Sequence, residues 1–298
     1  MNFTLHRLYG PISGKRNTLK FSRNTAKEKG DLAVSLKAEL KIRTLTAIVL
    51  IPVVLLLIYL GKSYFTLLVI VAFGLAQREF LNLYAVKKNL AFYATFLLVT
   101  AILGFYFNYT SIVLLSILLL YFPIPILWSR DYKIKEFALT TFIFLYIVIG
   151  AISALIIRQK MGIKGILFFL FIIWIFDSMA YIAGYFFGKH KLAEKVSPKK
   201  TIEGYIYGIL FTIPFGFLLH FLKITPSQNL YINITLTVLI SILSQIGDLV
   251  ESAFKREVGV KDSSNLFPGH GGMLDRIDSI IFTVPYFALI TRILGLWK

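Results

Sequence analysis

The stretch GILFFLFIIWIFDSMAYIAGYFFG, residues 165–188, is apolar over most of its length and contains one carboxylate, Asp177. About 20 apolar residues are enough to cross the hydrocarbon core of a bilayer as an α-helix. Because backbone polar groups in lipid must be hydrogen-bonded within their own segment, this stretch predicts a transmembrane helix. A carboxylate inside such a helix is costly, so Asp177 indicates a functional position.

The rest of the chain has the same character. Its 298 residues are 57% hydrophobic and 16% charged, and its mean hydropathy is +0.75, which excludes an ordinary soluble domain. We predict an all-α polytopic membrane protein with about nine transmembrane helices. The predicted spans are 44–60, 64–81, 90–107, 111–128, 137–157, 165–188, 205–222, 230–253 and 278–297.

The distribution of Lys and Arg predicts the orientation. If the N-terminus is cytoplasmic, 25 of the 32 basic residues lie in cytoplasmic segments, as the positive-inside rule requires. This predicts a multi-pass protein of the cell (inner) membrane with the polar loops 189–204 and 254–278 facing the cytoplasm. Topology and contact with anionic lipid explain the net charge of +17, so no nucleic acid partner is expected.

Two regions differ in composition. Residues 1–40 are polar and basic and are predicted to be a disordered cytoplasmic tail, with a lipid-surface anchor as the alternative. Residues 41–298 are predicted to form a single membrane-embedded domain. The chain contains no cysteine, which excludes disulfides and thiolate metal sites.

Predicted span 230–253 carries a stripe of polar side chains on one helical face, with Glu251 at its edge. The stripe consists of Ser241, Ser244, Gln245, Asp248, Ser252 and Lys255. Because it includes an Asp, we expect it to line a wet cavity. A polar seam between packed helices is the alternative.

The polar stretch FPGHGGMLDRIDS, residues 267–279, lies between the last two apolar spans. Asp275 and Asp278 are three residues apart and share a face if a helix begins there. With Asp248 they supply three hard oxygen ligands, which suit Mg²⁺. The sequence therefore predicts a magnesium site.

The same stretch is rich in glycine, which lets a backbone approach a phosphate closely. His270 is flanked by Gly269, Gly271 and Gly272. Four cations surround these residues: Lys255, Arg256, Lys261 and Arg276. Carboxylates, loop amides and cations together predict a polyphosphate site, and an ordinary structural turn is the alternative.

A second cluster lies upstream. One face of span 165–188 carries Trp174, Asp177, Ser178 and Tyr181. Lys199, Lys200 and Glu203 follow near the membrane, and Pro198 predicts a helix that starts near Lys199, where a phosphate would be attracted. The positive-inside rule alone is the alternative explanation of the lysines.

Two GxxxG pairs, Gly184/Gly188 and Gly204/Gly208, predict close helix packing. His190 and His220 are predicted to be incidental.

The stretch SAFKREVGVKDSSNLFPGHGGMLDRIDS, residues 252–279, resembles the signature of the phosphatidate cytidylyltransferases, or CDP-diacylglycerol synthases. The matching residues are Ser252, Lys255, Arg256, Lys261, Asp262, Pro268 to Gly272, Asp275, Arg276 and Asp278. DSMAYIAGYFFGK, SPKKTIEG and KIRTLTAIVLIP also resemble family segments. The resemblance covers about 41–298, and residues 1–36 have no recognised counterpart.

The resemblance implies condensation of CTP with phosphatidic acid, a membrane lipid, to CDP-diacylglycerol and pyrophosphate in phospholipid biosynthesis. It implies Asp248 and Asp275 as ligands of a cation pair, Mg²⁺ and a second cation, with Asp278 in support. The CTP phosphates are assigned to Lys261, Arg276, His270 and the glycines, and the lipid phosphate or leaving pyrophosphate to Lys199 and Lys200. Further substrate-binding assignments are Asp177, Glu203, Ser252, Lys255, Arg256 and Asp262.

Other functions share some of these features. A transporter or channel also contains intramembrane Asp, and a CTP-dependent lipid-alcohol kinase would share the phosphate-handling residues. The oligomeric state is left open, with a homodimer as one alternative.

Overall fold

The structure is a computed structural model that describes residues 48–108, 134–267 and 271–297, most of which are helical. Within these ranges, five helices are long and apolar enough to cross a membrane, which confirms the prediction of a helical membrane protein. The fourth predicted span, 111–128, and the predicted tail, 1–40, lie outside the described residues.

The described elements follow one another in the order α1 to α4, a hairpin, and α5 to α7. The helices are α1 (Ile48–Leu60), α2 (Lys62–Leu83), α3 (Lys88–Tyr106), α4 (Ile134–Phe187), α5 (Ile202–Phe221), α6 (Leu230–Glu257) and α7 (Leu274–Ile293). The strands β1 (Lys191–Ala193) and β2 (Ser197–Thr201) pair antiparallel between α4 and α5.

Helix α4 is a folded-back pair rather than one rod. A straight helix of 54 residues would be about 80 Å long, but Gly162 breaks it at φ 69° and ψ −158°, a conformation that glycine tolerates. Gly150 packs against Ile281, and the ring of Phe169 stacks on that of Phe287 with centroids 5.1 Å apart. Gly150 and Phe169 would be about 28 Å apart in a straight helix, whereas their α7 partners are about 9 Å apart. The chain therefore turns back at Gly162, between the fifth and sixth predicted spans.

The second half of α4 packs closely on α5 through small residues. A Cβ atom on Gly208 would lie 2.8 Å from the Cβ of Ala180, and one on Gly204 would lie 2.9 Å from the Cα of Gly184. Such distances leave no room for a side chain, so the predicted packing role of these glycines is confirmed.

Strand β2 occupies the place where the sequence predicted the start of a helix, near Lys199. Helix α5 begins instead at Ile202, where the side chain of the N-cap Thr201 accepts the N–H of Gly204 at 3.1 Å. That prediction was wrong because β1 holds the segment extended, with Lys191 opposite Thr201. Pairing with another segment overrides the local signal.

The polar ends of α2 and α6 are tied together. The rings of Phe80 and Phe254 are 5.1 Å apart, and the Tyr84 hydroxyl donates to Glu257 Oε2 at 2.7 Å. Burial, together with that hydrogen bond, raises the pKa of Tyr84 well above its ordinary value. The ring contact and this hydrogen bond hold the two helix ends together.

Candidate active site

Five carboxylates gather where α4, α6 and α7 meet. These residues, called the acidic cluster below, are Asp177, Asp248, Glu251, Asp275 and Asp278. Asp177, Asp248 and Asp278 lie close enough to interact electrostatically with one another. Helix packing thus joins two clusters that lie far apart in the sequence.

The partly exposed polar surface formed by Asp177, Asp248 and Lys200 is called the cleft below. Asp177 is solvent-accessible although protein atoms surround it, and its Oδ1 accepts the Ser244 hydroxyl at 3.4 Å. Ser241, one turn deeper, is fully buried and donates to the carbonyl of Thr237 at 2.8 Å. Ser244 is fully buried as well, and Gln245, Ser252 and Lys255 are nearly so, whereas Asp248 is partly exposed. Most of the polar stripe of α6 is therefore a seam between packed helices, and it reaches the cleft at Asp248.

Lys200 is the basic residue that β2 directs into the cleft. Its Nζ forms an ion pair with Asp248 Oδ2, and the Ser252 hydroxyl donates to Asp248 Oδ1 at 3.3 Å. Lys199 is exposed, as expected because neighbouring side chains of a strand point to opposite faces. The structure thus separates two lysines to which the sequence gave one role.

Lys255 is buried inside the acidic cluster. Its Nζ lies 2.7 Å from Glu251 Oε2 and 2.6 Å from Asp275 Oδ1. A buried ammonium with two carboxylate partners holds those carboxylates in place. This arrangement favours a positioning role for Lys255, and the substrate-binding role expected from the sequence stays a prediction.

Asp275 fixes the loop that precedes α7. Its Oδ2 accepts the backbone N–H of Ser263 at 2.9 Å and the N–H of Gly272 at 2.7 Å. This signature loop comprises residues 261–273. Gly271, at φ 74°, closes a turn in which its carbonyl accepts the N–H of Phe267 at 2.9 Å. The loop residues Pro268, Gly269 and His270 lie outside the described residues.

Glu79 of α2 also binds the signature loop, and the sequence analysis missed it. It accepts hydrogen bonds from Ser263, Ser264, Met273 and Leu274 at 2.7 to 3.0 Å. The signal that could have identified it is an acid inside predicted span 64–81, where charge is costly.

Several other predicted residues hold the frame of the site. Arg256 donates to the carbonyls of Val196 at 3.2 Å and Val260 at 2.6 Å, and so joins the hairpin to the end of α6. Glu203 accepts the N–H of Lys189 at 2.9 Å and lies 2.5 Å from Nδ1 of His190. Arg256 and Glu203 therefore brace the hairpin, and His190, expected to be incidental, takes part.

Two predicted loop residues face water. Lys261 and Asp262 are exposed at the polar edge of the signature loop. Lys261 is therefore accessible to a soluble anion that approaches the cleft.

The predicted metal ligands fit a cation only in part. Asp275 is held by the buried Lys255 and by the backbone N–H groups of Ser263 and Gly272, whereas Asp248 has only the side chains of Lys200 and Ser252 as partners. Asp248 is therefore the easier of the two to free for a cation. Among the residues that the structure describes, no three carboxylates or imidazoles converge as a ready metal site. The acidic cluster nevertheless has five carboxylates against Lys200, Lys255 and Arg276. That excess of negative charge fits a divalent cation at Asp248 and Asp278.

An apolar cavity of about 340 Å³ adjoins the cleft. Its walls come from α1, α2, α4 and α7, with Phe267 and Met273 of the signature loop at one end. Arg276 contributes a charge to this lining and also interacts electrostatically with Asp177. The cavity and the cleft therefore meet at Arg276.

Comparisons with known proteins show which family this chain resembles. A model described as the cytidylyltransferase family matches residues 41–294. The chain is 32% identical over 255 residues to a phosphatidate cytidylyltransferase of Staphylococcus haemolyticus, covering 83% of this chain and 96% of that protein. A protein of the same name from Staphylococcus aureus is 32% identical over 262 residues, with the same coverage. One from Staphylococcus epidermidis is 46% identical over 124 residues, 42% of this chain and 47% of its own length.

Proposed function

This chain belongs to the cytidylyltransferase family, and we propose that it catalyses the phosphatidate cytidylyltransferase reaction. An oxygen of the phosphatidic acid phosphate attacks the α-phosphorus of CTP. The bond from that phosphorus to the bridging oxygen of the β-phosphate breaks, so pyrophosphate leaves and CDP-diacylglycerol forms.

The observation that carries the proposal is the junction at Arg276 between a polar cleft and an apolar cavity. One substrate is a polyphosphate and the other is a lipid whose phosphate is attached to apolar chains. An apolar cavity of about 340 Å³ accommodates part of an acyl chain, and Arg276 at its edge complements the phosphate. We therefore propose that Arg276, assigned from the sequence to the CTP phosphates, binds the lipid phosphate beside the cleft.

This reaction requires neutralisation of phosphate charge more than it requires proton transfer. The lipid phosphate is already anionic at neutral pH, so no strong general base is required. The barrier lies in bringing two anions together and in stabilising the pyrophosphate that leaves. Lys200, Arg276 and the exposed Lys261 supply fixed positive charge for this purpose.

We propose that the reaction is Mg²⁺-dependent. Asp248 and Asp278 would hold the ion, which would neutralise phosphate charge. Asp275, which is bound to Lys255 and to the signature loop, would support the site without direct ligation. This modifies the ligand set that the resemblance implies, in which Asp248 and Asp275 share a cation pair.

We further propose the nine-span topology, with the N-terminus and the cleft on the cytoplasmic side. The asymmetry of basic residues supports this orientation. The hydrogen bond from Arg256 to Val196 at 3.2 Å supports the placement of the hairpin and the end of α6 on one and the same side. CTP, a cytoplasmic nucleotide, would reach the cleft directly.

Labelled CTP distinguishes the proposed reaction from that of a lipid kinase. Purified protein in detergent would be incubated with CTP labelled at the α- or the γ-phosphate, together with phosphatidic acid or an isoprenoid alcohol. We expect the α-label in the lipid product from phosphatidic acid and the γ-label in pyrophosphate. A γ-label transferred to the isoprenoid alcohol would indicate a kinase, and lack of any labelled lipid from phosphatidic acid would contradict the proposal.

A further inference from the structure

Glu79 is a buried carboxylate that takes no part in the chemistry proposed above. Its relative exposure is 7%. Its Oε1 accepts the Ser264 hydroxyl at 2.7 Å and the Met273 N–H at 3.0 Å. Its Oε2 accepts the Ser263 hydroxyl at 2.9 Å and the Leu274 N–H at 2.8 Å. One side chain of α2 therefore binds two separate parts of the signature loop.

The first turn of α7 lacks a side-chain cap of its own. Its N-cap residue is Met273, which makes no capping hydrogen bond. The first N–H groups of a helix have no partner within the helix and favour a negative charge. Glu79 provides both the acceptor and the charge from a different helix.

Gly272 shows how closely Glu79 approaches the loop. A Cβ atom at this position would collide with Glu79 Oε2 and with the Ser263 hydroxyl. The glycine is therefore needed for the carboxylate to reach the backbone between the two bound parts of the loop. The contact between Glu79 and the loop therefore depends on glycine at position 272.

The position of Glu79 is itself fixed. It directly precedes Phe80, which is packed on Phe254 of α6, and Tyr84, one turn later, donates to Glu257. These contacts fix the position of α2 along α6, and the signature loop follows the end of α6. A carboxylate on this rigid support can hold the loop in one shape.

We propose that Glu79 is a positioning residue for the nucleotide substrate. It holds the two described parts of the signature loop so that Lys261 faces the phosphates of CTP, and this role rests on the proposed function. Hydrogen bonds to a charged acceptor are stronger than neutral ones, and a preorganised loop binds its ligand at a lower entropic cost. Glu79 thus acts through the loop rather than on a reacting atom.

Steady-state kinetics of Glu79→Gln tests this role. The glutamine amide has the same size as the carboxylate but carries no charge. Its NH₂ group is a donor and cannot accept the hydrogen bonds that one of the Glu79 oxygens accepts. We expect KM for CTP to rise about ten- to a hundredfold. KM for phosphatidic acid should rise clearly less, because Phe267 and Met273 are the only described residues of the signature loop that line the acyl cavity.

Glu136→Gln is the matched control. Glu136 also accepts a backbone N–H from another segment, that of Lys87 at 2.8 Å, but it lies outside the signature loop. We expect both KM values to remain at the wild-type level. An equal rise for CTP in Glu136→Gln would contradict a role specific to Glu79.

A second readout does not depend on activity. Amide hydrogen exchange at Met273 and Leu274 should be at least about tenfold faster in Glu79→Gln, since both N–H groups lose a charged acceptor. If the wild-type protein made no CDP-lipid, the proposed function would fail, yet hydrogen exchange would still show whether Glu79 holds the backbone at Met273 and Leu274. Unchanged exchange, or faster exchange without a change in KM for CTP, would overturn the proposal.

Ser264→Ala is a milder variant that keeps the test decisive if Glu79→Gln does not fold. It removes one of the donors and leaves the buried charge with its other partners. We expect KM for CTP to rise about threefold. In the double variant, the Ser264 substitution should add little to Glu79→Gln, because both remove the same contact. Full additivity would overturn the inferred pairing.

Discussion

At the scale of single residues, the ion pair between Lys200 and Asp248 indicates how a substrate phosphate would bind. The Asp248 carboxylate occupies the position on Lys200 that a phosphate oxygen would take. The Lys200 ammonium, at the edge of the cleft, is only half-buried, so an incoming phosphate can compete with Asp248 for it. Lys199 has the same charge and stem but is exposed on the other face of β2. The two lysines therefore make a natural pair of test and control.

We predict that Lys200→Ala lowers kcat/KM about ten- to a hundredfold, the usual effect of losing a charge-assisted contact. Lys199→Ala should change it less than about threefold, because a solvated surface charge contributes little. Kinetics with each substrate varied at saturating partner would measure both. Equal losses in the two variants would show that general positive charge, rather than the direction of the side chain, matters.

A second residue-scale prediction separates ion binding from loop positioning. If Asp248 holds Mg²⁺, Asp248→Asn should raise the Mg²⁺ concentration needed for half-maximal activity at least about tenfold. Asp275→Asn should lower activity at every Mg²⁺ concentration without that shift, since its main effect is to loosen Lys255 and the signature loop. Titration of activity with Mg²⁺ is the measurement. A larger Mg²⁺ shift in Asp275→Asn would restore Asp275 as a direct ligand.

At the scale of elements, the close contact between α4 and α5 carries the hairpin and therefore Lys200. Gly208 and Ala180 touch without room for another atom, whereas a Cβ on Gly74 of α2 would meet no atom within 4 Å. Substitution by alanine adds the same methyl group at both positions. The difference in environment should therefore decide the outcome.

We predict that Gly208→Ala destabilises the protein by about 1–3 kcal/mol, the usual cost of overpacking, and that Gly74→Ala is tolerated. Thermal unfolding in detergent would compare the two variants. Reduced activity of Gly208→Ala at low temperature would further indicate that the hairpin has shifted. Equal melting temperatures for both variants would contradict the tight packing of α4 on α5.

The elements also show what the sequence could and could not predict. Helix α6, Leu230–Glu257, lies close to the predicted span 230–253, because hydrophobic length is a local property. The pairing of β1 with β2 and the reach of Glu79 to Ser263 depend on segments far apart in sequence, so no local pattern reveals them. The predicted stripe on α6 was correct as a helical face, but only packing determines which part of it meets water.

At the scale of the whole molecule, the two polar segments around the cleft must share one side of the membrane. Arg256 joins the hairpin to the end of α6, and Lys160, beside the break in α4, is exposed at the opposite end of that helix pair. Since the chain has no cysteine, single cysteines can report each side separately.

We predict that Ser197→Cys and Asn265→Cys resist a membrane-impermeant thiol reagent in intact cells and react in inverted vesicles. Lys160→Cys should behave in the opposite way, because the positive-inside rule places that turn outside. Labelling yields in the two preparations provide the measurement. Reaction of Ser197→Cys and Asn265→Cys in intact cells would reverse the proposed orientation.

The apolar cavity bordered by Arg276 has a consequence for how turnover responds to its surroundings. Two of the helices that line it, α2 and α4, are long and apolar enough to span a membrane, so an acyl chain can enter it from neighbouring lipid without crossing water. Moving an acyl chain into water would cost about 0.8 kcal/mol per methylene. Lateral entry from the bilayer avoids this cost, which an enzyme dissolved in water would have to overcome. The supply of lipid is then a two-dimensional search, and its rate follows the mole fraction of substrate in the bilayer rather than its bulk concentration. CTP arrives in three dimensions, so a cell can change the two fluxes independently.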